Sequence, residues 1–319
     1  RQTENAEPRG LGFHLPGRFD KIFKVDRCHL QNDYMNTIRN TALEVALKQD
    51  LTFCNRKEHT GFLRNLMIRN SSAGHWMVTV IVGNDDQEVI SNYMNALKTE
   101  LPEVQSWIYI VNTKANDSLN DLDFHVFSGP AAFTETMEHL HFSVGPLSFY
   151  QVNVPQALAM YRMVRQLADL KGNETVYDLY TGTGTIALFV APHASKVVGI
   201  EYVPTAIEDA KKNAADNQIP NAEFFCGDIA KTLNPAFMAE HGHPDVILTD
   251  PPRSGMHPDV VAQILNAAPE KVVYVSCNLA TQARDIALMK DQYRVAEIHP
   301  FDMFPHTHHV ENIALLIRK

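Results

Sequence analysis

The chain has 319 residues, 45% of them hydrophobic and 20% charged. That is the balance of an ordinary globular protein with room for two domains. No run of about 18 apolar residues occurs, so no membrane span is expected. A net charge of −9 argues against a broad phosphate-binding face, because nucleic-acid binders carry a basic footprint, though a local basic groove is compatible with it.

Four cysteines, Cys28, Cys54, Cys226 and Cys277, do not make a disulfide framework, and a reducing cytoplasm is the expected compartment. The opening RQTENAEPRG has no initiator Met and no signal-peptide pattern, which suits a fragment or a processed form.

Roughly the first 25 residues, rich in Gly, Pro and charge, read as turns around a short hairpin. Apolar residues at helical spacing predict a helix over Tyr34 to Lys48. Phe62 to Arg69 and His75 to Gly83 read as strands separated by turn chemistry at Asn70 to Gly74. Glu88 to Leu101 is helical and stops at Pro102; Trp107 to Asn112 is strand-like, 116–123 is a polar loop, and Phe127 to Leu147 holds further short strands. Residues 1–145 therefore predict an α+β domain with antiparallel pairing.

The pattern changes at Pro146. A long amphipathic helix is expected over Asn153 to Leu170, then strands at 174–179, 196–200, 222–226, 244–249, 271–276, 292–299 and 312–318, with helices between most of them. Such alternation predicts an α/β domain at 146–319, Rossmann-like with a mostly parallel, doubly wound sheet.

The first of these strands runs into Asp178-Leu179-Tyr180-Thr181-Gly182-Thr183-Gly184-Thr185. Gly182 and Gly184 allow close approach of a ligand to the backbone. Glu201, closing the second strand, suits ribose hydroxyls, and Asp228, after the third, suits an adenine edge. Because Gly182, Gly184 and Ala187 also satisfy G-x-G-x-x-A, a nicotinamide-dependent oxidoreductase is a rival reading. The carboxylate of Asp178 tilts the choice: it would repel a pyrophosphate but attract the cationic aminocarboxyl end of S-adenosylmethionine. The fourth strand ends in Asp250-Pro251-Pro252-Arg253, a stiff turn that resembles the Asp/Asn-Pro-Pro-aromatic turn of many methyltransferases, with Arg253 in the aromatic position.

Lys271 to Asp285 reads KVVYVSCNLATQARD, a short buried strand followed at once by a helix. Cys277 falls at the strand's carboxyl end, where open α/β sheets place their chemistry. The helix N-terminus that follows should favour its thiolate. A lone cysteine is otherwise a small buried hydrophobe.

FYQVN at 149–153, DLYTGTGT at 178–185, DPPRSG at 250–255, VSCNLATQARD at 275–285 and DMFPHTHHVE at 302–311 stand together in one order. In that order and spacing the chain resembles the RNA uracil-5 methyltransferases, which act on tRNA and on 23S rRNA. The resemblance covers the second domain fully and the first more loosely. It implies a class I methyltransferase fold using S-adenosylmethionine, with Cys277 as nucleophile, Glu311 as general base, and Gln151, Tyr180, Gly182, Gly184, Thr185, Glu201, Asp228 and Asp250 as cofactor or substrate contacts. The glycine loop of this chain, YTGTGT, departs from the family's usual FCGxGN or FSGxGT, which puts Tyr180 and Thr185 in question. Cys28 matches the last of four cysteines that hold an iron–sulfur cluster in many members; with the others absent, it could serve only in a longer chain.

The chemistry needs these residues. Uracil C5 is too weak a nucleophile to accept a sulfonium methyl until a thiolate adds to C6, and a base must then take the C5 proton. 23S rRNA is expected ahead of tRNA as the substrate, and a monomer is expected. A non-catalytic RNA-binding module on the same fold is the rival outside catalysis. Phe149, Tyr150, Phe301 and Phe304 are candidates to stack a flipped-out base, and Arg56, Lys57, Arg64 and Arg69 to meet phosphates. His306, His308 and His309 lack partner cysteines or carboxylates, so no metal is expected, and His306 and His308 should shape the substrate pocket.

Overall fold

The computed structural model describes residues 9–119 and 121–319; the first eight residues of the turn-rich opening lie outside them. Strands β1 (Gly12–Leu15) and β2 (Arg18–Lys24) form the expected hairpin. Helix α1 (Asp33–Lys48) starts where the Asn32 side chain accepts the Tyr34 amide. It is followed by β3 (Leu63–Asn70), β4 (Trp76–Val82) and α2 (Gln87–Glu100), the last capped by Asp86 and ended just before Pro102. Then come β5 (Ser106–Val111), β6 (Phe124–Ser128), β7 (Phe133–Met137) and β8 (Leu140–Val144).

The first sheet runs β3-β4-β5-β6. Its pairing is not wholly antiparallel as expected, because β4 and β5 are parallel. The intervening α2 forms the crossover that parallel neighbours require. Ile38, Ala42, Ile90, Met94 and Leu97 from the two helices join Val78, Val80 and Trp107 in one core.

The second unit opens with α3 (Val154–Ala168), led in by the Asn153 cap and Pro155. It continues through β9 (Thr175–Leu179), α4 (Thr185–Val190), β10 (Lys196–Glu201), α5 (Pro204–Asp216), β11 (Ala222–Cys226), α6 (Ile229–Thr232), α7 (Pro235–His241) and β12 (Val246–Thr249). The last elements are α8 (Pro258–Ala267), β13 (Lys271–Ser276), α9 (Leu279–Met289), β14 (Tyr293–Phe301) and β15 (Glu311–Arg318). The sheet order is β11-β10-β9-β12-β13-β15-β14, parallel except where β15 pairs antiparallel to both β13 and β14.

The chain divides into two compact units that interleave around the boundary read at 145/146. Residues 136–143 belong with 148–319, and 144–147 with the residues up to Glu135. No helix of the described residues is long and apolar enough to cross a membrane.

Strand alternation decides what faces the reaction. Val176, Val246, Leu248, Val273, Val275, Ile313 and Leu315 join α3 in one core, whereas Tyr177, Leu179, Ile247, Val272, Tyr274 and Leu316 join α8 in the other. Continuing the two-residue period puts Asp178, Asp250, Cys277 and Glu311 all on the α3 face.

Candidate active site

Cys277 and Glu311 meet through register. β13 and β15 pair Ser276 with Asn312, so Cys277 and Glu311 are the residues that flank the last pair of that ladder. Gln282 of α9 donates to the carbonyls of Tyr274 (2.8 Å) and Asn312 (3.3 Å), and the Asn312 amide donates back to Gln282 Oε1 at 2.6 Å. This reciprocal pair, buried on both partners, locks the start of β15 beside the Cys277 turn. Neither residue was singled out in the sequence; the Gln in ATQARD was the available signal.

The Asp250 turn is tied to the same place. The Arg253 carbonyl accepts from Asn278 Nδ2 (2.9 Å) and Thr281 Oγ1 (3.3 Å). Buried Asp285 accepts from the Met256 amide (2.8 Å) and the Tyr274 hydroxyl (2.7 Å). Gly255 sits between them at φ +76°, where an added Cβ would lie 2.6 Å from Arg284 Nη2 and from Asp285 Oδ2. Gly255→Ala is therefore expected to destabilise the second unit by roughly 1–3 kcal/mol, through strain at positive φ and overpacking. A lowered denaturant midpoint at unchanged slope checks this; an unchanged midpoint contradicts the packing described.

Electrostatics at the cluster oppose one expectation. The Cys277 thiol is pushed up from its ordinary value, first by burial and then by the Glu311 carboxylate, while Arg253 draws it down. The helix N-terminus does not win, because Asn278 caps α9 with its own side chain on the Ala280 amide and Cys277 lies outside the first turn. Burial also raises the Glu311 carboxyl, against the opposing pull of Arg253. Asp250 is pushed up to about 8 by burial, then by Glu311 and Asp178, which favours its protonated, hydrogen-bond-donating form. Tyr161 of α3 is a further member that sequence reasoning missed. It is buried, and burial, with Asp250, Tyr150, Asp178 and Glu311 beside it, raises its phenol well above the usual range.

The glycine loop lies at the neighbouring strand ends. Tyr180, Gly182 and Gly184 all have positive φ (62°, 56° and 80°), and nothing lies within 4 Å of the direction a Gly182 side chain would take. The Gly182 amide donates to Glu201 Oε2 at 3.2 Å, while Oε1 accepts from the amides of Tyr202 (2.8 Å) and Val203 (3.0 Å). Asp228 caps α6 through the Ala230 amide, and both acids are half-buried at adjacent strand ends. Thr185 begins α4, its hydroxyl 3.3 Å from that of Thr183. Tyr180 packs against the second core, and its phenol is pushed up to about 12, chiefly by burial and then by Asp285.

Asp178 is tied to the loop itself. Its Oδ2 accepts from Thr181 Oγ1 (2.6 Å) and the Ala187 amide (3.1 Å), it is 1% exposed, and burial pushes it up to about 7. Such a carboxyl braces the loop from behind.

Gln151 is half-buried in the coil before α3. Asn153, two residues on, caps that helix and donates to the Met303 carbonyl at 2.9 Å. Of the stacking candidates, Phe149 is 72% exposed, whereas Tyr150, Phe301 and Phe304 pack against the α3 core.

The basic candidates of the first unit are largely committed. Arg64 donates to the carbonyls of Asn112 (2.6 Å), Lys114 (2.5 Å) and Asn116 (3.0 Å). Arg56 pairs with Asp117, Lys57 with Asp20 at 2.8 Å, and Arg69 donates to the Gly145 carbonyl at 3.2 Å. Guanidinium groups that hold loops together this way are poor phosphate readers. Among the described residues, no three His, Cys, Asp or Glu side chains are grouped to hold a metal.

The open, mostly parallel sheet with a glycine loop after its first strand and acids after the next two has the class I methyltransferase fold. A SAM-dependent methyltransferase from Agrobacterium tumefaciens shares the fold, with a TM-score of 0.51 over 82% of this chain and 91% of that one at 13% identity. Residues 133–319 match the tRNA (Uracil-5-)-methyltransferase family, and the chain belongs to it.

The tRNA (uracil-54, C5)-methyltransferase of Pyrococcus abyssi, crystallised with S-adenosyl-L-homocysteine, is 29% identical. Its TM-score is 0.78, covering 94% of this chain and 71% of that one. An uncharacterized RNA methyltransferase of Bacteroides thetaiotaomicron is 52% identical over 309 residues, and one of Porphyromonas gingivalis 47% over 313. These alignments cover 96% and 97% of this chain, which spans 68% and 67% of the two relatives. Family membership displaces the nicotinamide reading of the glycine loop.

The loop's residues fit S-adenosylmethionine: space opens at Gly182 and two partly exposed carboxylates stand at the ends of β10 and β11.

Proposed function

We propose that this RNA methyltransferase methylates C5 of a uridine through a transient bond between Cys277 and C6 of the ring. The observation that carries the reading is that Cys277 and Glu311 flank the last residue pair of the β13–β15 ladder, Ser276–Asn312, with the Glu311 carboxylate near enough to raise the thiol. The Cys277 thiolate adds to C6, and the C5–C6 π electrons move toward C5 and O4. Asp250, whose raised carboxyl favours the protonated form, is the group proposed to donate to the developing charge, with Gln151 as a second donor. S-adenosylmethionine, when bound, supplies an electrophilic methyl group. Gly182, Gly184, Thr185, Glu201 and Asp228 are the residues proposed to hold it, with Tyr180 behind them. Once C5 carries the methyl, Glu311 takes the C5 proton, the C5–C6 double bond re-forms and the thiolate leaves.

In this reading residues 146–319 carry the catalysis, residues 1–145 guide the RNA, and the chain works as a monomer, since one chain supplies every named group. Phe149 is the aromatic left free to stack an extruded base. The rival of a non-catalytic RNA-binding module does not account for a thiol and a carboxylate brought together at the end of the β13–β15 ladder. The sequence expectation of 23S rRNA is tested against tRNA, the substrate named for the Pyrococcus relative. Labelled methyl transfer is measured to each RNA separately, followed by nucleoside mapping. Label in 5-methyluridine of rRNA supports the expectation, label in tRNA reassigns the substrate, and label in any other nucleoside refutes the C5 chemistry.

A further inference from the structure

Arg253 has a fixed backbone and an exposed side chain. The turn holds its carbonyl through Asn278 and Thr281, while the guanidinium donates through Nη2 to His309 Nδ1 at 3.2 Å. An arginine side chain can only donate, so Nδ1 of His309 must be the bare nitrogen and Nε2 must carry the hydrogen. The loop that presents this imidazole is preformed. Thr307 Oγ1 donates to the Phe304 carbonyl (2.7 Å) and accepts the His309 amide (3.2 Å). The His309 ring lies 4.1 Å from that of His308 and meets the edge of Phe304 at 6.5 Å.

We infer that His309 is a positioning residue for Arg253: its bare Nδ1 aims the guanidinium at Cys277 and Glu311, where it stabilises the thiolate. This rests on the assignment of Cys277 as nucleophile made above. The charge-bearing groups that face the imidazole are Arg253, from the turn after β12, and His308, from its own loop. Desolvation and both of these groups lower its pKa and hold it neutral. Protonation would set a donor against a donor and release the arginine. Neither histidine expected from sequence to shape the pocket, His306 or His308, makes this contact.

The test reads the thiol rather than turnover. The full chain, without RNA, is alkylated with iodoacetamide from pH 6 to 10, and the Cys277 peptide is resolved by mass spectrometry from those of Cys28, Cys54 and Cys226. His309→Ala should lower the rate near pH 8 by about three- to tenfold and raise the midpoint by roughly half to one pH unit. His309→Asn, whose Oδ1 occupies the place of Nδ1, should restore the wild-type midpoint; His309→Gln, whose amide reaches the Nε2 position instead, should not. Arg253→Met should raise the midpoint alike and make His309→Ala silent on top of it.

An unmoved midpoint in His309→Ala overturns the inference, as does an equal shift in the Arg253→Met background. Should His309→Ala fail to fold, the Asn and Gln variants decide alone: equal midpoints overturn the inference, and a higher midpoint in Gln supports it. Methyl transfer by Cys277→Ala reports separately on the nucleophile assignment and does not alter the alkylation result for His309.

Discussion

Cys277→Ala is expected to abolish methyl transfer to RNA, lowering the rate by about 10⁴-fold or more, as loss of a covalent nucleophile does. S-adenosylmethionine affinity should stay within about twofold, because the glycine loop and Glu201 lie at the ends of β9 and β10 while Cys277 follows β13, so an energetic coupling of more than ~0.4 kcal/mol is not expected. The substitution removes one half-buried sulfur and leaves the Asn278 cap and the Gln282–Asn312 pair intact, so the fold should survive. Labelled-methyl incorporation and calorimetric titration of the cofactor make the comparison. Methyl transfer at the wild-type rate would remove the covalent route.

Glu311→Gln should halt the reaction after C5 is methylated, leaving a protein–RNA adduct that survives denaturing electrophoresis. Turnover should fall by roughly 10²- to 10⁴-fold, the usual worth of a positioned general base. Adduct formation itself should not slow, and the sign follows from the electrostatics. Glu311 raises the Cys277 thiol, so an uncharged isostere lowers it and favours the attacking thiolate. In the wild type, burial raises the Glu311 carboxyl above its ordinary value. Its base form is therefore lost as pH falls through that raised value, and turnover should decline on the acid side earlier than for a solvent-exposed carboxylate. Rapid turnover by Glu311→Gln with no trapped species would assign the proton to another group.

Local chemistry made most elements legible. The helical spacing over Tyr34 to Lys48, the stop at Pro102 and the β-branched Val272, Val273 and Val275 mark ends and interiors with short-range signals, and β13 falls on 271–276 as expected. The parallel β4–β5 pairing was not legible, because strand direction depends on where the α2 crossover returns the chain, and antiparallel and parallel strands share the same alternation. The bracing contacts of Asp178 were hidden for a related reason: its partners, Thr181 and Ala187, are set by how the loop folds. Those of Arg64 were hidden the same way, since a guanidinium in sequence carries no sign that three carbonyls from residues 112 to 116 will claim it.

The amino-acid order alone determined the α/β alternation, the glycine loop, and the identities of the thiol and the terminal carboxylate, because periodicity and turn chemistry act over a few residues. Tertiary structure alone decided that Cys277 and Glu311 flank the last β13–β15 pair, that burial raises the Asp250 carboxyl, and that His309 rather than its neighbours meets Arg253. Those outcomes depend on antiparallel register between strands some 40 positions apart and on how deeply each group is withdrawn from water, neither of which a linear pattern of residue types encodes.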